Sequence, residues 1–211
     1  MDSGNEELEL TRESPLILAS ASPRRKELLY NVDIPYIVMP SNAPEDTDER
    51  DPEKAAEIIS SIKAADVADR MIRENVRDTF LILGADTLVS IDGKILGKPE
   101  NEDEAFKTLS LLQGRKHEVI TGVTFAVKRR KEELYYITWH EVTEVELYPV
   151  SDEAIREYIK TGEPMDKAGS YGIQGVFARH VKGIVGDYNN VIGLPVGRVF
   201  RTIKDIKKHI V

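Results

Sequence analysis

The feature that most limits the fold is the way short apolar runs lead straight into helix-start signals. Leu16 to Ala19 is apolar, and Ser20-Ala21-Ser22-Pro23 ends it with an N-cap residue, Ser22, and a proline suited to the first helical position. A strand therefore feeds a helix. A second strand, Tyr36 to Met39, precedes an acidic loop from Ser41 to Asp51, and Asp51-Pro52 opens a long helix with Ala55, Ile58, Ile59, Ile62 and Ala65 on one side. Phe80 to Leu83 reads as a buried strand ending at Gly84-Ala85-Asp86-Thr87, which puts Asp86 near a strand end. Leu88 to Ile91 and Lys94 to Leu96, flanking Asp92-Gly93, read as a hairpin.

A helix follows over Glu102 to Gln113, with Ala105, Leu109 and Leu112 on one face. Glu118 to Lys128 and Leu134 to Leu147 are long enough to be antiparallel neighbours. Ser151 caps a helix ending at Thr161-Gly162, and Glu163 to Gln174 is a turn-rich loop of the kind that carries function on a scaffold. Val176 to Val181 and Ile184-Val185, around Lys182-Gly183, suggest a second hairpin, and Val196, Val199, Phe200, Ile203, Ile206 and Ile210 mark a closing helix. Trp139 falls in an alternating strand, as a sheet residue. Strands, hairpins and helices that alternate in this way define an α/β domain with a mixed sheet.

Composition narrows the function. With 29 basic against 37 acidic residues the net charge is −8, which argues against a broad nucleic-acid surface, so any polyanion must be small and held locally. The chain has no cysteine, which removes disulfides, thiol nucleophiles and zinc-thiolate sites. The start, MDSGNEELELTRESP, is too acidic for a targeting peptide, and no apolar run approaches the ~20 residues of a membrane span. The expectation is a soluble, cytoplasmic protein: a flexible N-terminal extension over residues 1–14 and a single domain over 15–211.

Three elements can carry chemistry. Arg24 and Arg25 occupy the second and third positions of a helix, where backbone N–H groups already project positive potential. An anion docked there, receiving the guanidinium groups and the Ser20 and Ser22 hydroxyls, makes sense of the pair; a solvated surface pair is the alternative. Glu45, or its neighbour Asp46, and Asp86 supply the one or two carboxylates that magnesium takes beside phosphate oxygens and waters. Acidic runs such as Pro44 to Glu49 are usually solvated, whereas an acid directly after a buried strand needs a partner or serves a site. Gly97-Lys98-Pro99 is not a P-loop, since that motif needs four residues between its glycines and Ser or Thr after the lysine, but Lys98 can still meet phosphate as a point charge. The histidines His117, His140, His180 and His209 show no metal-ligand spacing, and no GxSxG, HExxH or GxGxxG pattern occurs.

Taken in order, Leu18 to Arg25, Gly84-Ala85-Asp86-Thr87, Leu96-Gly97-Lys98-Pro99, Thr121-Gly122-Val123 and Asp166 to Gly175 resemble the Maf family of nucleotide pyrophosphatases across roughly residues 16–200. Each stretch is weak alone, and the ordered set is specific. The resemblance implies an elongated mixed β-sheet flanked by helices, similar to the inosine triphosphate pyrophosphatases, with two lobes and a cleft between them. It implies phosphate binding by Ser20, Arg24 and Arg25, an acid at Glu45, a lysine of the long helix at Lys63, a catalytic aspartate at Asp86 and a hairpin lysine at Lys98. Arg24, Lys98 and Gln174 together resemble the dTTP/UTP-cleaving subgroup. A homodimer is compatible with the family pattern and rests on the resemblance alone.

These residues lead to an expected mechanism. A water oriented by Asp86 attacks the α-phosphorus of a nucleoside triphosphate, with Mg²⁺ or Mn²⁺ held through Asp86 and Glu45, and the products are the monophosphate and pyrophosphate. The Gln174 amide can both donate to and accept from a uracil or thymine edge. Two rivals remain at this stage: a nucleotide-binding regulator of septum formation that senses without cutting, and a phosphomonoesterase.

Overall fold

In the computed structural model of the chain, residues 10–208 are described. Most of the expected N-terminal extension, residues 1–9, and Ile210 of the closing helix lie outside them; Leu10 is partly buried against the core. The elements are β1 (Leu16–Leu18), α1 (Pro23–Asn31), β2 (Tyr36–Val38), α2 (Pro52–Arg73), β3 (Phe80–Ile91), β4 (Lys94–Leu96), α3 (Glu102–Leu112), β5 (Lys116–Lys128), β6 (Tyr135–Leu147), α4 (Asp152–Ile159), β7 (Val181–Val185), α5 (Tyr188–Ile192) and α6 (Val196–Lys208). Three short 3-10 helices, Glu163–Asp166, Ala168–Ser170 and Val176–His180, lie between α4 and β7.

One seven-stranded mixed sheet holds the fold, in the order β2-β1-β3-β5-β6-β7, with β4 added to the free side of β3. β1 runs parallel to β2 and β3; the remaining pairs are antiparallel. β3 is one continuous strand of 12 residues, which corrects the expectation that Asp86 sits near a strand end. The register explains why the strand does not stop at the glycine: β5 pairs with β3 without a break from Phe80 to Ser90, so the ladder carries β3 through Gly84-Ala85-Asp86-Thr87. On the opposite side of β3 the support is interrupted. β1 pairs at Ile82 and Leu83, and β4 begins at Val89. Asp86 and Thr87 lie in the gap, where the chain leaving β1 turns into α1.

The second hairpin is also corrected. Val176–His180 is a 3-10 helix and Val181–Val185 is a single strand, because residues Val181 to Val185 pair with β6 rather than with a preceding strand.

Strand alternation splits the core into two halves. On one face of β3 and β5, Leu81, Leu83, Ala85, Val123, Phe125 and Val127 pack with Leu28 and Leu29 of α1 and Val199, Ile203 and Ile206 of α6. Further along the same strands Val89, Ile91 and Val119 pack with Ala105 and Leu109 of α3, Ile155 and Tyr158 of α4, and Phe177. Each such large side chain contributes ~1.5–3 kcal/mol when fully buried. Between the two clusters the register places one polar pair, Thr87 opposite Thr121, with their hydroxyls 3.0 Å apart. An apolar, polar, apolar sequence along the strand thus marks where the two halves part.

Helix α2 covers the other face, with Ala64, Val67, Ala68 and Met71 against Ile17, Phe80 and Ile82. The expected inner face is corrected here. Ala55 and Ile59 are buried, but Ile58 is exposed, Ile62 and Ala65 are half-buried, and the helix turns Ala56, Ser60, Lys63 and Ala64 to the sheet. Close approach selects these small residues. A Cβ added to Gly84 would stand 2.3 Å from the Ser60 carbonyl oxygen, and one added to Gly122 would stand 2.1 Å from that of Ala56. The two glycines let the helix backbone lie on the strands, where there is no room for an isoleucine layer.

Candidate active site

The arginine pair starts from an ordinary cap. Ser22 is the N-cap of α1 and its hydroxyl accepts from Arg25 N, with Pro23 in the first turn. The two guanidinium groups then part. Arg25 is buried: Nε donates to the Gly193 carbonyl (2.8 Å), Nη1 to the Ser20 hydroxyl (3.1 Å) and Nη2 to the Thr87 hydroxyl (3.0 Å). Of the five N–H donors of a guanidinium, these bonds use three and tie α1, β3 and the chain before α6 into one corner. Burial lowers the Arg25 pKa most, Asp86 raises it, and the neighbouring Arg24 lowers it further. Arg24 is half-exposed and its Nη1 meets Asp166 Oδ2 at 3.0 Å, across the cleft.

The acids meet on a lysine. Lys63 is 5% exposed, and its Nζ lies 2.7 Å from Asp86 Oδ1 and 3.1 Å from Glu45 Oε2. Its burial follows from the close packing just described: with α2 pressed on Gly84 and Gly122, a residue one turn on from Ser60 projects beside Asp86. A buried charge needs partners, and the two carboxylates supply them. Burial pushes the Glu45 pKa up, but the Lys63 charge and hydrogen bond, with Lys98 and Arg25 beyond, outweigh it and hold the carboxyl below its ordinary value. Asp46, the alternative to Glu45, is exposed and does not line the cavity.

All these groups border one cavity of about 530 Å³, between the two halves of the core. Ser20, Arg24, Arg25, Glu45, Lys63, Asp86, Lys98 and Gln174 each line it, although Glu45 and Gln174 come from segments 129 positions apart. Lys98 and Gln174 are exposed at its edge. The lining carries Arg24, Arg25, Lys63, Lys98 and Lys167 against Glu45, Asp86, Glu163 and Asp166, an excess of one positive charge in a chain of net −8. Local cationic character within an acidic protein suits a small polyanion. Among the described residues no group of three or more His, Cys, Asp or Glu side chains could hold a metal by itself, and no helix is long and apolar enough to cross a membrane.

Several contributors have no role assigned by the sequence. Thr87 and Thr121 stand in the motif stretches, and Gly193 in none, yet Thr87, Thr121 and the Gly193 carbonyl hold Arg25 or each other through bonds that join distant segments. Asp166 and Lys167 stand in the stretch Asp166 to Gly175, but their link to each other and to Arg24 exists only in the folded chain.

Residues 15–206 match the family described as Maf-like protein. The chain belongs to the Maf family. Curated relatives named dTTP/UTP pyrophosphatase are similar along nearly their whole length. The one from Agathobacter rectalis is 44% identical over 200 residues, 92% of this chain and 98% of its own. The one from Alkaliphilus metalliredigens is 48% identical over 182 residues, 86% and 90% of the two chains. Among solved structures, the nucleoside-triphosphatase / dITP/XTP pyrophosphatase from Mycobacterium abscessus overlaps at a TM-score of 0.41 and 10% identity, covering 64% of this chain and 75% of that one. At that level the overlap carries no argument about the Maf site, which rests on the geometry above.

Proposed function

We propose that this Maf protein is a nucleoside triphosphate pyrophosphatase that acts on dTTP, UTP and related or modified pyrimidine nucleotides, with a house-cleaning role in the cytoplasmic nucleotide pool. The observation that carries the reading is the meeting of Asp86, Lys63 and Glu45 in the same cavity as Arg24, Arg25 and Lys98. The names of the relatives point the same way.

The triphosphate enters with its phosphates toward the start of α1. Arg24 exchanges its Asp166 contact for phosphate oxygens, Lys98 closes from the β4 edge, and the unspent donors of Arg25 and the Ser20 hydroxyl take the innermost oxygen. Asp86 aims a water at the α-phosphorus and takes its proton. As the new P–O bond forms, the bridge between the α- and β-phosphorus breaks, and pyrophosphate leaves with its charge met by Arg24 and Lys98. Lys63 keeps the Asp86 carboxylate in place through Oδ1, so the other oxygen is the one that faces the water. Placement and charge complementarity of this kind supply most of the acceleration in phosphoryl transfer.

The donor set fits a divalent cation, because two carboxylates that share one lysine can also share a hard ion whose other ligands are waters and phosphate oxygens. Asp86 and Glu45 would hold Mg²⁺ or Mn²⁺, which when bound would neutralise phosphate oxygens and the departing pyrophosphate. Gln174 selects the base, its carboxamide both donating to and accepting from the thymine or uracil edge.

Incubation with a panel of nucleoside triphosphates and Mg²⁺ or Mn²⁺ tests the reading. Monophosphate and pyrophosphate from dTTP and UTP are expected. Orthophosphate as the product would make the protein a phosphomonoesterase, and tight binding without turnover would make it a sensor. A preference for GTP or ITP would overturn the pyrimidine assignment.

A further inference from the structure

The turns after α4 hold a second polar network that the phosphate end of the cavity does not use. The Glu163 carboxylate sits beneath the stretch from Gly172 to Val176. Its Oε1 accepts from the Tyr158 hydroxyl (3.0 Å) and its Oε2 from Val176 N (3.2 Å). The Tyr158 oxygen in turn accepts from Gly172 N (3.2 Å). Both ends of the stretch are therefore pinned to one side-chain pair, and Gln174, exposed at the cavity, lies between the pins.

The two glycines of the stretch leave the space that the brace occupies. A Cβ on Gly175 would stand 1.9 Å from Glu163 Oε1, and one on Gly172 would stand 3.1 Å from the same atom. Tyr158 is itself held: it is buried in α4, and its ring lies 4.7 Å from that of Phe177. Burial and the adjacent Glu163 raise its pKa, so the phenol remains a donor.

We infer that Glu163 and Tyr158 are positioning residues for base selection, clamping Gly172 to Val176 so that the Gln174 carboxamide meets a pyrimidine edge in one orientation. The inference rests on the reading of Gln174 as the base-recognising residue. A carboxamide discriminates only if its donor end and acceptor end are presented to fixed places, since a freely turning amide can satisfy either pattern. Gln174 lies on a turn rather than a strand, and a site on a turn reaches that precision when supporting hydrogen bonds fix its backbone. Neither Glu163 nor Tyr158 needs to touch the reacting atoms.

The test is the ratio of kcat/KM for dTTP to that for GTP in Gln174→Ala, Tyr158→Phe, Glu163→Ala, Glu163→Gln and the double variant Tyr158→Phe/Gln174→Ala. Tyr158→Phe keeps the ring against Phe177 and removes only the hydroxyl. Two bonds go with it, the neutral one from Gly172 N that pins the stretch and the charge-assisted one to Glu163, which keeps Val176 N; the pin itself sets the expected effect, a roughly fivefold fall in the ratio, with the change in KM for dTTP rather than in kcat. Glu163→Ala should lower it further. Glu163→Gln should retain most of it, because a carboxamide can accept from Val176 N–H and donate to the Tyr158 oxygen. In the double variant the ratio should fall no lower than with Gln174→Ala alone, as expected for residues acting through one another. A fall in kcat/KM that is equal for both nucleotides in Tyr158→Phe and Glu163→Ala, while Gln174→Ala shifts the ratio, overturns the inference and leaves the base reading standing. If Gln174→Ala itself leaves the ratio unchanged, the base reading fails and takes the inference with it.

Discussion

The two walls of the cavity are built by different physics. The wall that carries Asp86 and Lys63 belongs to the centre of the sheet and the long helix α2: Asp86 sits within an unbroken ladder with β5, and Lys63 is set by helix backbone lying on Gly84 and Gly122. The facing wall, from Glu163 to His180, is three short 3-10 helices joined by turns; Tyr171, Ile173 and Phe177 anchor it in the core, and between those anchors single side-chain bonds fix the turns, Glu163 with Tyr158 and Val176, Asp166 with Arg24 and Lys167. The first wall moves only if the core moves. The turns of the second, between its core anchors, can be adjusted one hydrogen bond at a time. On the proposed function, chemistry that needs fixed distances would fall to the ladder and recognition of the nucleotide to the turns.

The sharpest way to break this contrast is Asp86→Asn. The substitution keeps an oxygen for Lys63 but removes the charge that orients water, so pyrophosphate release should fall by ~10²-fold or more; the buried Lys63 then has Glu45 as its one charged partner, so the thermal unfolding midpoint should fall as well, with the far-UV circular dichroism of the folded protein unchanged. Near-full activity in this variant would remove Asp86 from the chemistry.

Gly84→Ala comes next, because it attacks the same wall through packing. A methyl group 2.3 Å from the Ser60 carbonyl oxygen must push α2 off the strands. A loss of about 1–3 kcal/mol in stability is expected, read from urea unfolding, together with reduced turnover as Lys63 moves from Asp86. Unchanged stability would show that α2 does not need its close approach.

On the turn-built wall the effects should be smaller. Asp166→Asn frees Arg24 from a half-exposed ion pair, a contact of a kind worth ~0–1 kcal/mol. The KM for dTTP should drop a few-fold at most, with kcat unchanged, since the phosphates no longer compete with a carboxylate for that guanidinium. A collapse of kcat in this variant would mean that the turns hold reacting groups after all.

The smallest effect concerns pH. Glu45 has a folded pKa held below its ordinary value of 4.5 by Lys63, with Lys98 and Arg25 contributing. The stabilisation it provides is therefore complete above about that ordinary value and is lost as pH falls through the lowered one. Glu45→Gln should flatten the acid limb of the stability curve, and an unaltered curve would show that Lys63 draws its stabilisation from Asp86 alone.

Much of the site was legible before the fold. The Ser22-Pro23 cap set α1, and with it Arg24 and Arg25 at the helix start, because capping is decided within one turn of chain. Lys98 and Gln174 were identified from their motifs and do reach the cavity edge. Apolar spacing gives only part of the inner face of α2: Ala55 and Ile59 are buried, but Ile58 and Ile62 are not, and the helix turns Ala56, Ser60 and Ala64 inward. Periodicity measures greasiness, and this contact is governed by closeness. The apolar run Phe80 to Leu83 puts Asp86 near a strand end; the register with β5 carries the strand past Gly84 and sets Asp86 within it.

By itself, then, the sequence determined most of the strands and helices, the cap that sets Arg24 and Arg25 at the start of α1, and the residue types that line the cavity. Only the tertiary structure decided that Lys63 holds Glu45 and Asp86 together, that one arginine is spent on Gly193, Ser20 and Thr87 while its neighbour faces Asp166, and that Glu163 braces the Gln174 turn. The division follows the range of the forces. Caps, turns and amphipathic spacing act over a few residues, whereas a buried charge finds its partner only when segments far apart in the chain are packed close enough to exclude water between them.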